Sequence, residues 1–479
     1  MNKTLATLVL ASAPALILSA CNGGGGSGMS SIPTANGASR HRMGPNDNGP
    51  QDLHAGGATF PAYAYNLASQ PVGLYTQAQP GPGAGSLFFS APTKGTVYYC
   101  LTGSGYGRAE FIQNNGTATT ACAALGLSPT GFGGRQDPLD FVGSDVALKS
   151  TEYTTYKANR ESGTKTWGEP FEIPTIGGPI VYGYRSEDFS SHVSNIKLSQ
   201  WTYCAIANGT VHDWNDGAIT ADNGKSVTGG VSQTITFYFR SDSSGTSYLF
   251  TNHLNTACNI TFGPPYNKPP YGSPSRSAAW PFGVNSTWPG PGSSGDPNPN
   301  FIGESGNPGV LAAIQGTAFS TGYVEGAYAK TAQNPSVGQA WLQNGSSKGK
   351  AFFVDPTNKS AVVGALAKVT SHSITYGGGS DGQPLGTSAP WCVLYIDPSN
   401  FVSPPVKTYP IVGLSYWLFY GQNNGIHVPD KKALIKYLVS GKASKIVDNF
   451  EYANLSSSVH TAITHALNGN GGTQPACLQ

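Results

Sequence analysis

Apolar and polar positions along the chain follow two alternating rhythms. Short runs rich in β-branched and aromatic residues, Ile180-Val-Tyr-Gly-Tyr184, Ile235-Thr-Phe-Tyr-Phe239 and Ile411-Val-Gly-Leu414, predict β-strands. Elsewhere apolar residues recur at helical spacing: Ala433–Phe450, with Leu434, Tyr437 and Leu438 on one side, and Ser456–Leu467 predict helices. Strands interleaved with helices predict an α/β fold. Two stretches break the rhythm. Residues 22 to about 50 are mostly Gly, Ser, Asn and Pro and predict a flexible leash. Residues 264–308 are Pro- and Gly-rich without a period and predict a long surface insertion.

The first twenty residues have a third pattern. Lys3 is their only charge, and the apolar run Leu5–Ala20 is short and interrupted, as in a secretory signal peptide. It ends Leu18-Ser-Ala-Cys21, which resembles the bacterial lipobox. The resemblance implies a lipid on Cys21, a tether over 21–55 and a body outside the cytoplasm. The expected location is the bacterial cell envelope, periplasmic or at the cell surface, and Asn22 leaves inner versus outer membrane open. No second apolar run reaches the roughly 18 residues that a span requires.

Charge sharpens this picture. The 27 Lys and Arg nearly cancel the 25 Asp and Glu across 479 residues, which argues against nucleic-acid binding through bulk charge. Hydrophobic residues at 38% are enough for a large core, while charged residues are only 11%, so hydroxyls and amides carry most of the polar work. Setting Cys21 aside, six cysteines remain: Cys100, Cys122, Cys204, Cys258, Cys392 and Cys477. An even number outside the cytoplasm suggests three disulfides. Neighbours in sequence suggest Cys100–Cys122, Cys204–Cys258 and Cys392–Cys477, among 15 connectivities that spacing alone leaves open. No pair has metal-ligand spacing, and neither a metal nor another cofactor is expected.

The most informative stretch is Phe239-Arg-Ser-Asp-Ser-Ser-Gly-Thr-Ser-Tyr248. A strand runs into a polar turn, and a helical pattern follows through Tyr248, Leu249 and Leu254. Ser244, Gly245 and Thr246 therefore fall at a helix N-terminus, where unpaired N–H groups and the macrodipole favour an anion. Arg240 adds a planar fork of donors, and Asp242 stands where it can hold that fork. Taken alone, this block could equally be a Ser-rich cap beside a solvated Arg. Three more blocks tip the balance: Gly56-Gly-Ala-Thr-Phe-Pro-Ala62, Leu101-Thr-Gly-Ser-Gly-Tyr-Gly107 after a strand at Thr96–Cys100, and Phe141-Val-Gly-Ser-Asp145.

In order and rough spacing, these four blocks resemble the periplasmic phosphate-binding protein family of the phosphate ABC transporter (PstS family). Weaker echoes are Pro174-Thr-Ile-Gly-Gly-Pro-Ile180, Trp214-Asn-Asp-Gly-Ala-Ile219, Gly322-Tyr-Val-Glu-Gly-Ala-Tyr-Ala329 and Tyr409-Pro-Ile-Val412. The resemblance implies a type II periplasmic-binding-protein fold with two lobes, a hinge and a ligand cleft. Residues 56–180 with 405–479 would form one lobe and 181–404 the other. Carried over by position, inorganic phosphate would meet Thr59, the Phe60 N–H, Ser104 and Asp145 from the first lobe. Arg240, Ser244, Gly245 and Thr246 would come from the second, with Asp242 in support. An ionised Asp145, acceptor-only, would take the proton of hydrogen phosphate and reject sulfate. The resemblance also implies a permease partner and a binding role without catalysis. The departures are Ser243, where the family has Gly, and apparent insertions near Cys100–Cys122, 264–308 and 335–400. They leave service to a permease the weaker half of the reading. A surface phosphoesterase or scavenger and an adhesive lipoprotein are the competing classes.

Other signals fade on inspection. Gly378-Gly-Ser-Asp-Gly382 matches a nucleophile elbow but lies in loop-like sequence, and Ser194–Lys197 lacks companion motifs. His460 and His465 are five apart on one helix, too far round for a shared metal.

Overall fold

The computed structural model describes residues 52–67, 81–113, 139–160, 167–333, 335–347, 350–422, 427–470 and 473–479. The signal peptide, Cys21, most of the expected tether and Cys122 lie outside these residues.

One mixed sheet organises the fold. Its main strands are β1 (Leu53–Gly57), β2 (Val97–Cys100), β3 (Phe141–Ser144), β4 (Pro170–Arg185), β5 (Thr236–Arg240), β6 (Phe301–Glu304), β7 (Ser320–Glu325) and β8 (Val412–Tyr420), and two short strands, Val337–Gln339 and Ala453–Asn454, pair with β4 beside this row. The main strands lie in the order β2-β1-β3-β8-β4-β7-β5-β6. The outer trios β2-β1-β3 and β7-β5-β6 are internally parallel, and β8 and β4 join them as antiparallel strands. Strand β4 belongs to both halves: Pro170–Pro179 pairs with β8, and Ile180–Tyr184 pairs with β7.

The three sequence-predicted strand runs all fall in this sheet, but β4 is far longer than Ile180–Tyr184. Pro170, Pro174 and Pro179 argue against a central strand, because proline cannot donate to a ladder. Pro170 opens the strand, and Pro174 adjoins a register shift between Leu414 and Tyr416 of β8. There Thr175 turns its hydroxyl to the Ser415 carbonyl at 2.9 Å, the re-aiming that a bulge provides.

The expected tether also gives way to structure earlier than predicted. Residues Leu53–Gly57 form the inner strand of a parallel trio, buried at every position including His54. A strand covered on both faces shows no alternation, which hid it. The single helix expected over Ala433–Phe450 is two helices, Val428–Leu438 and Gly441–Asn449. The break falls at Ser440, whose side chain caps the second helix. The expected insertion at 264–308 is irregular over most of its length, yet it contains β6 and runs into a helix at Gly306–Gly316.

Aromatic packing holds the first half of the sheet together. Every residue of β8 is buried, and the Trp417 ring lies 5.2–5.7 Å from Tyr65, Phe88 and Phe141. Disulfides join Cys204 to Cys258 and Cys392 to Cys477; Cys100 is also disulfide-bonded. The second of these ties the C-terminus to a strap built on the two-stranded pair Ile374–Tyr376 and Leu394–Ile396. Gly378–Gly382 lies in that strap, and the Ser380 hydroxyl donates to the Ala147 carbonyl at 2.6 Å, a structural bond.

Closing 85 residues of chain constrains the unfolded state, so Cys392→Ser with Cys477→Ser should cost about 2–5 kcal/mol. Denaturant unfolding of oxidised wild type and the double variant measures this, and equal midpoints would contradict it.

Candidate functional site

Both parallel trios deliver polar residues from the carboxyl ends of their strands, where open α/β sheets bind ligands. Thr59 follows β1, Ser104 follows β2 at the start of helix α1 (Ser104–Gln113), and Asp145 follows β3. From the other half, Arg240 ends β5 and helix α2 (Gly245–Ala257) starts five residues later. Asn307 follows β6, in the first turn of helix α3 (Gly306–Gly316).

These residues converge. The Arg240 Nη1 donates to Thr59 Oγ1 at 3.2 Å and to Thr246 Oγ1 at 3.5 Å. Asn307 Nδ2 donates to the same two hydroxyls, at 3.1 and 3.5 Å, and the Asn307 N–H reaches Thr59 Oγ1 at 3.4 Å. Ser104 Oγ donates to Asp145 Oδ2 at 3.2 Å and accepts the Asp145 N–H at 3.1 Å. Gly245 closes the gap between the two groups. A Cβ there would lie 2.5 Å from Ser104 Oγ and 2.7 Å from Asp145 Oδ2, so no larger residue fits without displacement. The halves also meet through the Gly105 N–H, which donates to the Ser243 carbonyl at 2.9 Å.

Arg240 is 1% exposed. A buried guanidinium needs a counter-charge, and Asp242 supplies it with bonds of 2.6 Å to Nε and 2.5 Å to Nη2. Burial alone would raise the Asp242 carboxyl, but Arg240 beside it and the Gly306 N–H, at 3.0 Å, hold it below the usual range. Asp145 has a different environment. Burial pushes its carboxyl up to about 7, against the opposing pull of Ser415, Arg240, Ser104 and Arg108. The expectation of a simply ionised acceptor is therefore corrected: near neutral pH this carboxyl is poised between its two forms. Its Oδ1 is buried with no partner among the described residues.

Ser244 caps α2 by accepting the Ser247 N–H at 3.1 Å. Phe60 is held through its carbonyl, which accepts from Tyr452 at 2.7 Å. Thus Thr59, Ser104, Asp145, Arg240, Gly245 and Thr246 are brought together, with Ser244 at the cap, Phe60 next to Thr59 and Asp242 behind Arg240. Two contributors were missed in the sequence. Arg108 is buried and donates to Ser144 Oγ at 2.9 Å, to the Ser104 carbonyl at 3.4 Å and to Glu152 at 3.0 Å. Asn307 sat at the edge of the stretch read as an insertion. A strand, the polar turn Ser305-Gly-Asn307 and the apolar Val310, Leu311 and Ile314 were its visible signal.

No group of three or more potential metal ligands occurs among the described residues. The assembled groups suit a compact oxyanion: hydroxyls, a guanidinium and the helix starts at Ser104 and Gly245, beside one carboxyl able to exchange a proton.

Comparison with known proteins bears on the family and the fold. Residues 84–374 match the model of the PBP superfamily domain. A phosphate-binding protein PstS2 from Mycobacterium bovis is 29% identical over 324 residues, covering 68% of this chain and 66% of the relative. The chain thus spans just under two thirds of that relative's length. An alkaline phosphatase L from Pseudomonas aeruginosa is 26% identical over 226 residues, 47% of this chain and 48% of the relative. Among solved structures, the periplasmic phosphate-binding protein PfluDING, bound with phosphate, superposes with a TM-score of 0.60. It is 20% identical and covers 89% of this chain and 96% of its own. The architecture is a two-lobed periplasmic-binding-protein fold.

The Asp145 shift carries a sign. A carboxyl raised from 3.8 to about 7 on folding contributes stability below about pH 4 that is lost as pH rises through about 7. Asp145→Asn should flatten the decline in unfolding free energy between pH 4 and 8, measured as the difference between denaturation curves of variant and wild type. A constant offset across that window would contradict it.

Proposed function

The chain belongs to the PBP superfamily, and on that premise we propose that it captures inorganic phosphate in the cleft between its lobes. The observation that carries this reading is the buried convergence of Arg240, Thr59, Thr246, Ser104 and Asp145 from the ends of four parallel strands. Two relatives named as phosphate-binding proteins support it. Thr59, the Phe60 N–H, Ser104 and Asp145 hold the anion from one side, and Arg240, Ser244, Gly245 and Thr246 from the other. Residues 56–180 and 405–479 form the first lobe and 181–404 the second, with β4 and β8 within the hinge. The N-terminal sequence supports export and a lipid on Cys21, with the body outside the cytoplasm. A phosphate ABC permease is the partner that receives the ligand.

Binding proceeds without formal charge in bulk. Arg240 is already neutralised by Asp242, so the remaining attraction comes from hydroxyls and helix N-termini. Asp145 sets selectivity. Whether the carboxylate accepts a proton from the ligand or the acid donates one to it, the complex holds a proton between Asp145 and one ligand oxygen. Sulfate brings no proton at neutral pH, so it can pair only with the protonated acid and leaves the ionised form of Asp145 an unpaired buried acceptor, whereas hydrogen phosphate suits either form. The second reading, hydrolysis of phosphate esters, draws on the relative named alkaline phosphatase L.

Titration calorimetry of the soluble body with phosphate, arsenate and sulfate tests the first reading; tight phosphate binding with weak sulfate binding is the expected result. Arg240→Ala should lower phosphate affinity by about 100-fold or more, as expected for removing a buried charge partner. Asp145→Asn should narrow the gap between phosphate and sulfate. Equal affinities for the two anions in wild type would overturn the proposal. Turnover of a chromogenic phosphate ester by purified protein would favour the second.

A further inference from the structure

We propose that Asn307 is a positioning residue that fixes the direction of the hydroxyl protons in the anion site. The proposal rests on the phosphate reading and assigns to Asn307 a role in it. A threonine hydroxyl has one proton to give and two lone pairs to receive. Thr59 Oγ1 receives from Arg240 Nη1 at 3.2 Å and from Asn307 Nδ2 at 3.1 Å, which fill both lone pairs, and the Asn307 N–H approaches the same atom at a longer 3.4 Å. With its acceptor capacity taken, the hydroxyl has only its proton left to offer, and an oxyanion is the complementary partner. Thr246 Oγ1 is in the same situation, receiving from Arg240 and Asn307 at 3.5 Å each. Asn307 itself is 0% exposed, so solvent cannot substitute for its carboxamide.

The arrangement separates two tasks that one Arg cannot perform alone. Arg240 donates to both hydroxyls but also has Asp242 to satisfy. Asn307 adds the second donor to each hydroxyl without adding charge, so the hydroxyls are turned toward the anion while the site stays neutral. Because Asn307 follows β6 and Thr59 follows β1, the same bonds join opposite halves of the sheet.

The test separates this role from mere packing by asking whether Asn307 acts through a hydroxyl. Calorimetry with inorganic phosphate is run on wild type, Thr59→Ser, Thr59→Val, and each of these with Asn307→Ala; thermal unfolding without ligand verifies the fold of every variant. Asn307→Ala should weaken phosphate binding about tenfold in the wild-type and Thr59→Ser backgrounds, the loss expected for one directed hydrogen bond. In Thr59→Val, where Asn307 has only the more distant Thr246 hydroxyl left to direct, the loss should be at least threefold smaller. Asn307→Ser, which keeps a polar group at the helix start, replaces Asn307→Ala if that variant fails to fold. Unchanged affinity in Asn307→Ala, or a loss in Thr59→Val less than threefold below that in Thr59→Ser, overturns the proposal. Failure of wild type to bind phosphate would instead overturn the functional reading on which it rests.

Discussion

The rest of the site depends on one buried ion pair. Arg240 has almost no contact with solvent, and a guanidinium can stay there only if its charge and its donors are met. Asp242 meets the charge two residues on, in a bidentate fork. The Gly306 N–H then binds Asp242, and the Tyr323 hydroxyl accepts the Arg240 N–H at 3.0 Å while pairing with Ser247 at 2.6 Å. Each bond immobilises a different element, namely the start of the Gly306 helix, β7 and α2. The guanidinium is therefore held rigidly, and one edge remains for the two threonine hydroxyls. A cation so balanced provides geometry rather than net attraction, which suits a protein whose formal charge is only +2.

The four polar blocks were legible because each carries its local grammar on its face: a short apolar strand, a Gly/Ser/Thr turn, then a helical pattern. Arg240 and Asp242 are two residues apart, so their pairing could be inferred without knowing the fold. Asn307 obeys the same grammar, but it adjoins a Pro/Gly-rich stretch whose composition drowned the signal. β4 was underestimated for a related reason. Its Pro174 adjoins a bulge against Ser415, a feature set by pairing with a strand some 240 residues away. Asp145 was legible as a residue, while its protonation was not. That depends on burial and on Ser415, Ser104, Arg240 and Arg108, none of which adjoins it in sequence.

Burial does two opposite things within this small volume. It makes Asp242 wholly dependent on Arg240, which keeps that carboxyl ionised. It leaves Asp145, which has no ion pair of its own among the described residues, poised between its two forms near neutral pH. Two carboxyls thus acquire different characters from their surroundings alone, one a fixed counter-charge and the other a group able to share a proton. A site built on hydroxyls, N–H groups and one exchangeable proton can distinguish oxyanions of similar size by what they protonate, where shape alone would not separate them.

The Tyr452 hydroxyl that steadies Phe60 is 392 residues away along the chain. Strand β8, which packs Trp417 against Tyr65, Phe88 and Phe141, likewise returns to an edge formed at the beginning. Contacts of such separation must be closed before they stabilise anything, and folds built on them assemble slowly. A chain emerging from its N-terminus would present Phe60 early but could not tie its carbonyl to Tyr452 until that residue had arrived. Full order around the anion site would then appear late in assembly, after β8 and the segment carrying Tyr452 have returned to the strands that formed first.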